Sequence, residues 1–134
     1  MDANELVKHV KSDILYLDPP YNERDYCRYY HLPENIAKGR IPKPHGKSGM
    51  YIIDNKKSKY NSKKATETFQ ELIELADAKC IIFHYTDKGL INIEDARRIL
   101  KKKGEVEEFY FDCKGYNTTK MSNKCQHHIF KVVI

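Results

Sequence analysis

A chain of 134 residues and 15.8 kDa has room for one compact domain, and an enzyme with separate cofactor, substrate and specificity modules normally needs more. Apolar residues make up 40% and charged residues 32%, so a core can form, while 24 Lys/Arg against 19 Asp/Glu leave a net charge of +5. No run approaches the ~18 apolar residues of a membrane helix, and charges spread through the first twenty residues exclude a secretory signal, so a soluble, cytoplasmic protein is expected.

Residues 3–11 place Leu6, Val7 and Val10 on one helical face, and Ile14–Leu17 is a short apolar run halted by Asp18-Pro19-Pro20. The order is helix, strand, abrupt stop. Residues 27–37 read as a helix limited by Pro33, and 38–62, rich in Gly, Pro, Lys, Ser and Asn, read as a long loop. Loops of that length in compact domains usually accompany function. Phe69, Leu72, Ile73 and Ala76 fall at helical spacing within 65–77, and Cys80–Phe83 follows as a buried strand. Glu94–Lys103 predicts a further helix, acidic in its first turn, with Lys101–Lys103 in its last turn complementing the dipole and Gly104 as its stop. Val106–Phe111 and His128–Ile134 are strand-like. Nothing in 113–127 has a helical period, so these two strands are predicted to pair antiparallel, with Phe109, Tyr110 and Phe111 filling sheet faces. The pattern is α/β, mainly parallel, ending in an antiparallel strand pair, without internal repeats.

The charge is localised. Residues 20–64 hold eleven Lys/Arg and four Asp/Glu, a local charge of +7, and the rest of the chain sums to −2. Tyr21, Tyr26, Tyr29, Tyr30, Tyr51 and Tyr60 lie in the same stretch. Cations neutralise phosphates and aromatic faces stack bases, so the mixture suits nucleic acid; a solvated basic loop is the plainer reading.

In open α/β sheets ligands gather beyond the carboxyl ends of strands, which directs attention to Asp18-Pro19-Pro20-Tyr21. Two prolines restrict the backbone, and the Pro19 carbonyl and the Asp18 carboxylate are two acceptors that can converge on one amino group. Tyr21 offers a ring for a flat base. The alternative is an ordinary strand-ending turn.

Asp-Pro-Pro-Tyr after an apolar strand resembles the catalytic motif of N6-adenine DNA methyltransferases. The similarity runs through Asp13–Asn22, Tyr29-Tyr30-His31 and Gly46-Lys47-Ser48-Gly49-Met50, which look like the restriction–modification branch, while His84–Ile91 is similar to the family's next strand-end loop and the closing strands to its usual finish, so that nearly the whole chain is covered. The resemblance implies a Rossmann-like methyltransferase fold, S-adenosylmethionine as cofactor, and double-stranded DNA as substrate, from which an adenine is flipped for attack by its amino nitrogen. It assigns Asp18, Pro19, Pro20 and Tyr21 to catalysis, with Asp18 and Pro19 also touching the cofactor. Asn22, Arg24, Tyr26, Arg28, Tyr29, Tyr30, His31 and Lys47 then lie along the DNA, within a basic, DNA-facing loop at about 22–64.

The Gly-rich strand-to-helix turn that precedes the tetrad in such enzymes is not found: all six glycines follow residue 38. The chain therefore reads as the C-terminal, catalytic-motif part of a methyltransferase domain, lacking the Gly-rich cofactor part and the target-recognition module. A complementing N-terminal half is an expected partner, and the isolated chain is expected to be inactive. A methyltransferase acting on RNA or protein, or a non-catalytic nucleic-acid-binding remnant, are the alternatives. Gly46-Lys47-Ser48 lacks the upstream glycine of a phosphate-binding loop, since Ile41 stands there. The cysteines Cys27, Cys80, Cys113 and Cys125 are expected as reduced thiols. Cys113, Cys125, His127 and His128 have no paired Cys-x-x-Cys spacing, and adjacent histidines alternate across a strand, so no metal site is predicted.

Overall fold

The computed structural model describes residues 2–26, 30–47, 57–114 and 124–134. Helix α1 (Ala3–Val7) starts at Asp2, whose side chain accepts from the Asn4 N–H at 2.9 Å. It is shorter than its sequence periodicity because the chain must enter β1 (Lys11–Leu17) at Lys11, which pairs with Asp77. Helix α2 (His31–Ala37) tolerates Pro33 in its first turn, where an N–H has no intrahelical partner. The predicted loop is broken by a 3₁₀ turn at Lys59–Asn61. There follow α3 (Ala65–Leu75), β2 (Asp77–Thr86), α4 (Ile93–Lys101), β3 (Glu105–Lys114) and β4 (Lys124–Val133). Strands β2, β3 and β4 outrun their predicted segments, because their ends carry polar residues on an exposed face and interrupt the apolar run.

The result is a mixed α/β fold with a four-stranded open sheet in the order β1-β2-β4-β3. Strands β1 and β2 are parallel, with Leu15 opposite Ile81 and Leu17 opposite Phe83. The closing strands pair antiparallel, as expected, with Val106 opposite Val132 and Cys113 opposite Cys125. The sheet is nevertheless not mainly parallel. The hairpin folds back so that β4 inserts between β2 and β3, which makes two of the three pairings antiparallel.

The core lies on one face of the sheet. Phe69, Leu72 and Ile73 of α3 and Ala96, Ile99 and Leu100 of α4 cover Ile81, Phe83 and Tyr85 of β2 and Phe130 and Val132 of β4, all buried. Phe83 is the centre, with ring centroids 4.4 Å from Phe69, 5.3 Å from Tyr85 and 5.9 Å from Phe130. Full burial of each such ring contributes about 2–3 kcal/mol. On the opposite face Ile14, Tyr16, Phe109 and Phe111 are exposed, and no described element covers them. Phe109, Tyr110 and Phe111 thus lie on the sheet but do not fill it, because β3 is an edge strand.

Helix α4 is capped by Asn92, which accepts from Glu94 N–H at 2.8 Å. Beyond its end, Lys103 donates to the Glu74 carbonyl at 3.1 Å, and a Cβ on Gly104 would stand 2.1 Å from the Val133 carbonyl oxygen. The stop therefore has a packing cause. Among the described residues no helix is long and apolar enough to cross a membrane.

Candidate active site at the end of the first strand

The Asp18-Pro19-Pro20-Tyr21 tetrad follows β1 directly, next to the end of its parallel partner β2. The Asp18 carboxylate is about half-exposed and lies 3.8 Å from Nδ1 of His84. Behind it, the fully buried Tyr85 joins the loops after the two strands: its hydroxyl donates to the Pro20 carbonyl at 3.4 Å and accepts from the Ile91 N–H at 3.2 Å. The Leu90 N–H donates to the Tyr21 carbonyl at 3.1 Å, and the Tyr21 ring meets Tyr85 edge-on, 6.0 Å between centroids. Gly89 is required here, because a Cβ at that position would stand 2.2 Å from the Tyr85 ring. The stretch 84–91 singled out in the sequence, the last three residues of β2 and the turn that follows, thus holds the tetrad.

Around Asp18 the structure gathers tyrosines. Partial desolvation, and then the Asp18 charge, raise the pKa of both Tyr21 and Tyr26. Tyr26 stacks on Tyr30, 5.8 Å apart and 8° from parallel, and both rings remain largely exposed. Between them and the tetrad, the Asn22 side chain accepts from the Arg24 N–H at 2.9 Å, an Asx-type turn.

One buried side chain fixes this segment and its buried neighbour ties the same 3₁₀ turn to α1, roles that sequence reasoning missed. Asn61 donates to the carbonyls of Asn22 at 2.8 Å and Arg24 at 3.0 Å. Its neighbour Tyr60, counted in the sequence among the base-stacking tyrosines, is instead buried and donates to Asn4 Oδ1 at 2.9 Å. Burial pushes its hydroxyl pKa far up. The available signal was a Tyr-Asn pair directly before a helix, but a loop of 25 residues gave no reason to single it out.

Of the residues expected along DNA, Asn22, Arg24, Tyr26 and Tyr30 are exposed on the segment after the tetrad, and His31 is half-buried at the start of α2. Lys47 is exposed in a turn and makes no ion pair among the described residues. Arg28 and Tyr29 lie outside the described residues, as do Cys27 and Ser48–Met50 of the glycine-lysine motif.

A cavity of about 730 Å³ opens beside β1, on whose outer edge no described strand pairs. Tyr16, Leu17, Asp18, Pro19 and Pro20 form one wall, and Tyr60 and Phe69 contribute to another. Its size falls within the range of small-molecule and cofactor sites. What the arrangement offers chemically is an exposed carboxylate at a rigid strand end, aromatic rings beside it, and a large adjoining cavity.

At the same end of the sheet, spacing gave no reason to expect the next cluster. Cys113 and Cys125 face each other across β3 and β4, sulfurs 3.4 Å apart, and the metal-ligating atoms of Cys113, Cys125 and His127 all lie within 4.8 Å of one another. The two histidines do alternate, as expected: His128 turns to the helix-covered face and meets Glu108 at 2.8 Å, while Nδ1 of His127 meets Nε2 of His84 at 2.9 Å. Desolvation and the adjacent Cys125 raise the Cys113 thiol pKa.

A mixed α/β chain whose parallel strand ends in a proline-stiffened acidic tetrad beside a cavity matches known proteins consistently. A family model described as D12 class N6 adenine-specific DNA methyltransferase matches residues 1–99, and the chain belongs to that family. It is 40% identical over 124 residues to the type II methyltransferase M.FokI of Planomicrobium okeanokoites, which covers 92% of this chain and 19% of that protein. It is 42% identical over 102 residues to the modification methylase StsI of Streptococcus sanguinis, 75% of this chain and 16% of that one. With the type II methyltransferase M.NlaIII of Neisseria lactamica the identity is 36% over 124 residues, 92% and 36% of the two chains. The chain thus spans well under half the length of these relatives. No solved structure matches it.

Proposed function

We propose that this chain is the catalytic-motif part of an S-adenosylmethionine-dependent methyltransferase that modifies the amino nitrogen of adenine in DNA, and that it is inactive without a Gly-rich cofactor-binding half. The observation that carries this reading is the half-exposed Asp18 carboxylate at the end of β1, beside Tyr21 and Tyr26 and on the wall of the 730 Å³ cavity. Family membership supplies the reaction class.

In this reading the four-stranded sheet is one part of a Rossmann-like domain, and residues at about 22–64 face the DNA. Asp18 and the Pro19 carbonyl accept hydrogen bonds from the two amino hydrogens of a flipped adenine and aim the nitrogen lone pair. Pro20 keeps the backbone rigid, its carbonyl held by Tyr85, and Tyr21 packs on the base. Catalysis is then positioning and polarisation, without a covalent enzyme intermediate. The cavity has room for a cofactor, with Asp18 and Pro19 at its wall, and S-adenosylmethionine when bound supplies the methyl group. Asn22, Arg24, Tyr26, Arg28, Tyr29, Tyr30, His31 and Lys47 contact phosphates and bases along the entering strand.

The test is transfer of a labelled methyl group to DNA, RNA and protein, with the chain supplied alone and together with a Gly-rich methyltransferase half. Incorporation into DNA adenine only in the combined sample is expected. Asp18→Ala should lower it by at least about a hundredfold, the scale of losing a group that polarises the reacting atom, while DNA affinity stays within about twofold. Undiminished turnover in that variant overturns the assignment.

A further inference from the structure

We propose that Cys113, Cys125 and His127 bind a zinc ion at the ligand end of the sheet, and that His84 is the positioning residue behind His127. The first support is register. Cys113 and Cys125 are direct cross-strand partners, and His127 stands two residues beyond Cys125 on the same face of β4. One strand pair therefore presents two thiols and an imidazole in a fixed pattern.

The second support is distance. Zinc–sulfur bonds of ~2.3 Å around a tetrahedral ion put two sulfurs about 3.8 Å apart, and a zinc–nitrogen bond of ~2.0–2.1 Å puts sulfur and nitrogen about 3.6 Å apart. The sulfurs here are 3.4 Å apart and all three ligand atoms lie within 4.8 Å. Side-chain rotations that shift the ligand atoms by about an ångström bring these separations to the tetrahedral values.

The third is the arrangement behind the imidazole. Nδ1 of His127 faces Nε2 of His84, so Nε2 of His127 is the nitrogen left to ligate. A metal-bound imidazole typically gives its other N–H to an acceptor that fixes its tautomer and orientation. With zinc on Nε2, the Nδ1–H of His127 would donate to Nε2 of His84 across the 2.9 Å contact, and His84 would then carry its proton on Nδ1, the nitrogen 3.8 Å from the Asp18 carboxylate. The ion would thus connect to the tetrad through two histidines, His127 and His84.

Two thiolates and one imidazole select a borderline-soft ion such as zinc over magnesium or calcium. Three protein ligands leave a fourth position for water. Binding is balanced by release of both thiol protons, about two per ion. The ion would clasp the ends of β3 and β4 to each other, with His84 of β2 behind His127, independent of whether the methyl-transfer reading holds.

Zinc and cobalt(II) titrations of the fully reduced chain, away from oxygen, test this. Expected are one ion per chain, about two protons released into a weakly buffered solution, and a cobalt complex with thiolate charge-transfer bands and intense tetrahedral d–d absorption. Cys113→Ser or Cys125→Ser should remove about half or more of the charge-transfer intensity, as one of two thiolates is lost. His84→Asn should weaken zinc binding about 10–100-fold and leave the charge-transfer band in place, the behaviour of a group acting through a ligand. Cys27→Ser and Cys80→Ser should change nothing. The proposal is overturned if the reduced wild-type chain, natively folded by circular dichroism, shows no thiolate–cobalt band and no proton release. A band unaffected by Cys113→Ser overturns it equally.

Discussion

The Asn61 side chain does for the segment after the tetrad what a neighbouring strand does for a strand: its amide N–H groups satisfy the carbonyls of Asn22 and Arg24. Asn61→Ala leaves both acceptors without that donor inside a half-closed surface and should cost about 1–3 kcal/mol in urea unfolding. Asn61 also illustrates what a sequence hides. Asp18 is legible because strand, acid and prolines are contiguous, whereas Asn61 acts across 39 residues of chain and looks like any polar loop residue. A second group acting at a distance is Glu108. Its carboxyl is held below the usual range first by hydrogen bonds from Arg97, at 2.7 and 2.8 Å, then, against the cost of desolvation, by His128. The folded-state pKa is depressed, so the stabilisation is complete above the ordinary carboxylate pKa of ~4.3 and disappears as pH falls through the lower folded value. The stability gap between wild type and Glu108→Gln should therefore be widest, at about 2 kcal/mol, near neutral pH and narrow on acidification. A gap independent of pH would contradict the ion pair.

Elements were read well where one face is apolar and poorly where neither is. The amphipathic patterns of α3 and α4 and the central run of β2 announce themselves, because burial on one side imposes a period. The far ends of β3 and β4 carry Asp112, Cys113, Lys124 and Gln126, which no core demands, and only pairing across the hairpin makes them strand. The same blindness concealed the thiol–imidazole cluster, since ligands assembled across a hairpin leave no compact spacing to recognise. At this scale Tyr85 is the piece on which the loops depend. Tyr85→Phe keeps the ring in the core but removes the hydroxyl shared by Pro20 and Ile91, so a loss of about 1–2 kcal/mol and faster amide exchange at Ile91 are expected. Gly89→Ala should be the harsher change, because its Cβ would press on a rigid, fully buried ring. A loss of about 1–3 kcal/mol in the same unfolding measurement checks it, and a neutral substitution would mean that the loop yields without disturbing Tyr85.

For the whole molecule, the charge of +7 on residues 20–64 has a measurable signature if this segment faces DNA. Each phosphate neutralised contributes about −0.9 to the slope of log affinity against log salt, and Arg24→Ala and Lys47→Ala should each flatten that slope by roughly one. Unchanged slopes would move the DNA path elsewhere. The overall α/β class and the antiparallel finish were legible in the sequence, while the insertion of β4 beside β2 was not, because strand order depends on which edge a hairpin returns to. That order leaves β1 with hydrogen-bonding groups on one side that no described strand receives. Its next-strand position adjoins the large cavity. A row of amide donors and acceptors at strand spacing is a template, and in a concentrated solution of this chain the nearest complement is the same edge of another copy. Self-association through this edge is therefore expected to rise with concentration, checked by sedimentation velocity over a series of loading concentrations.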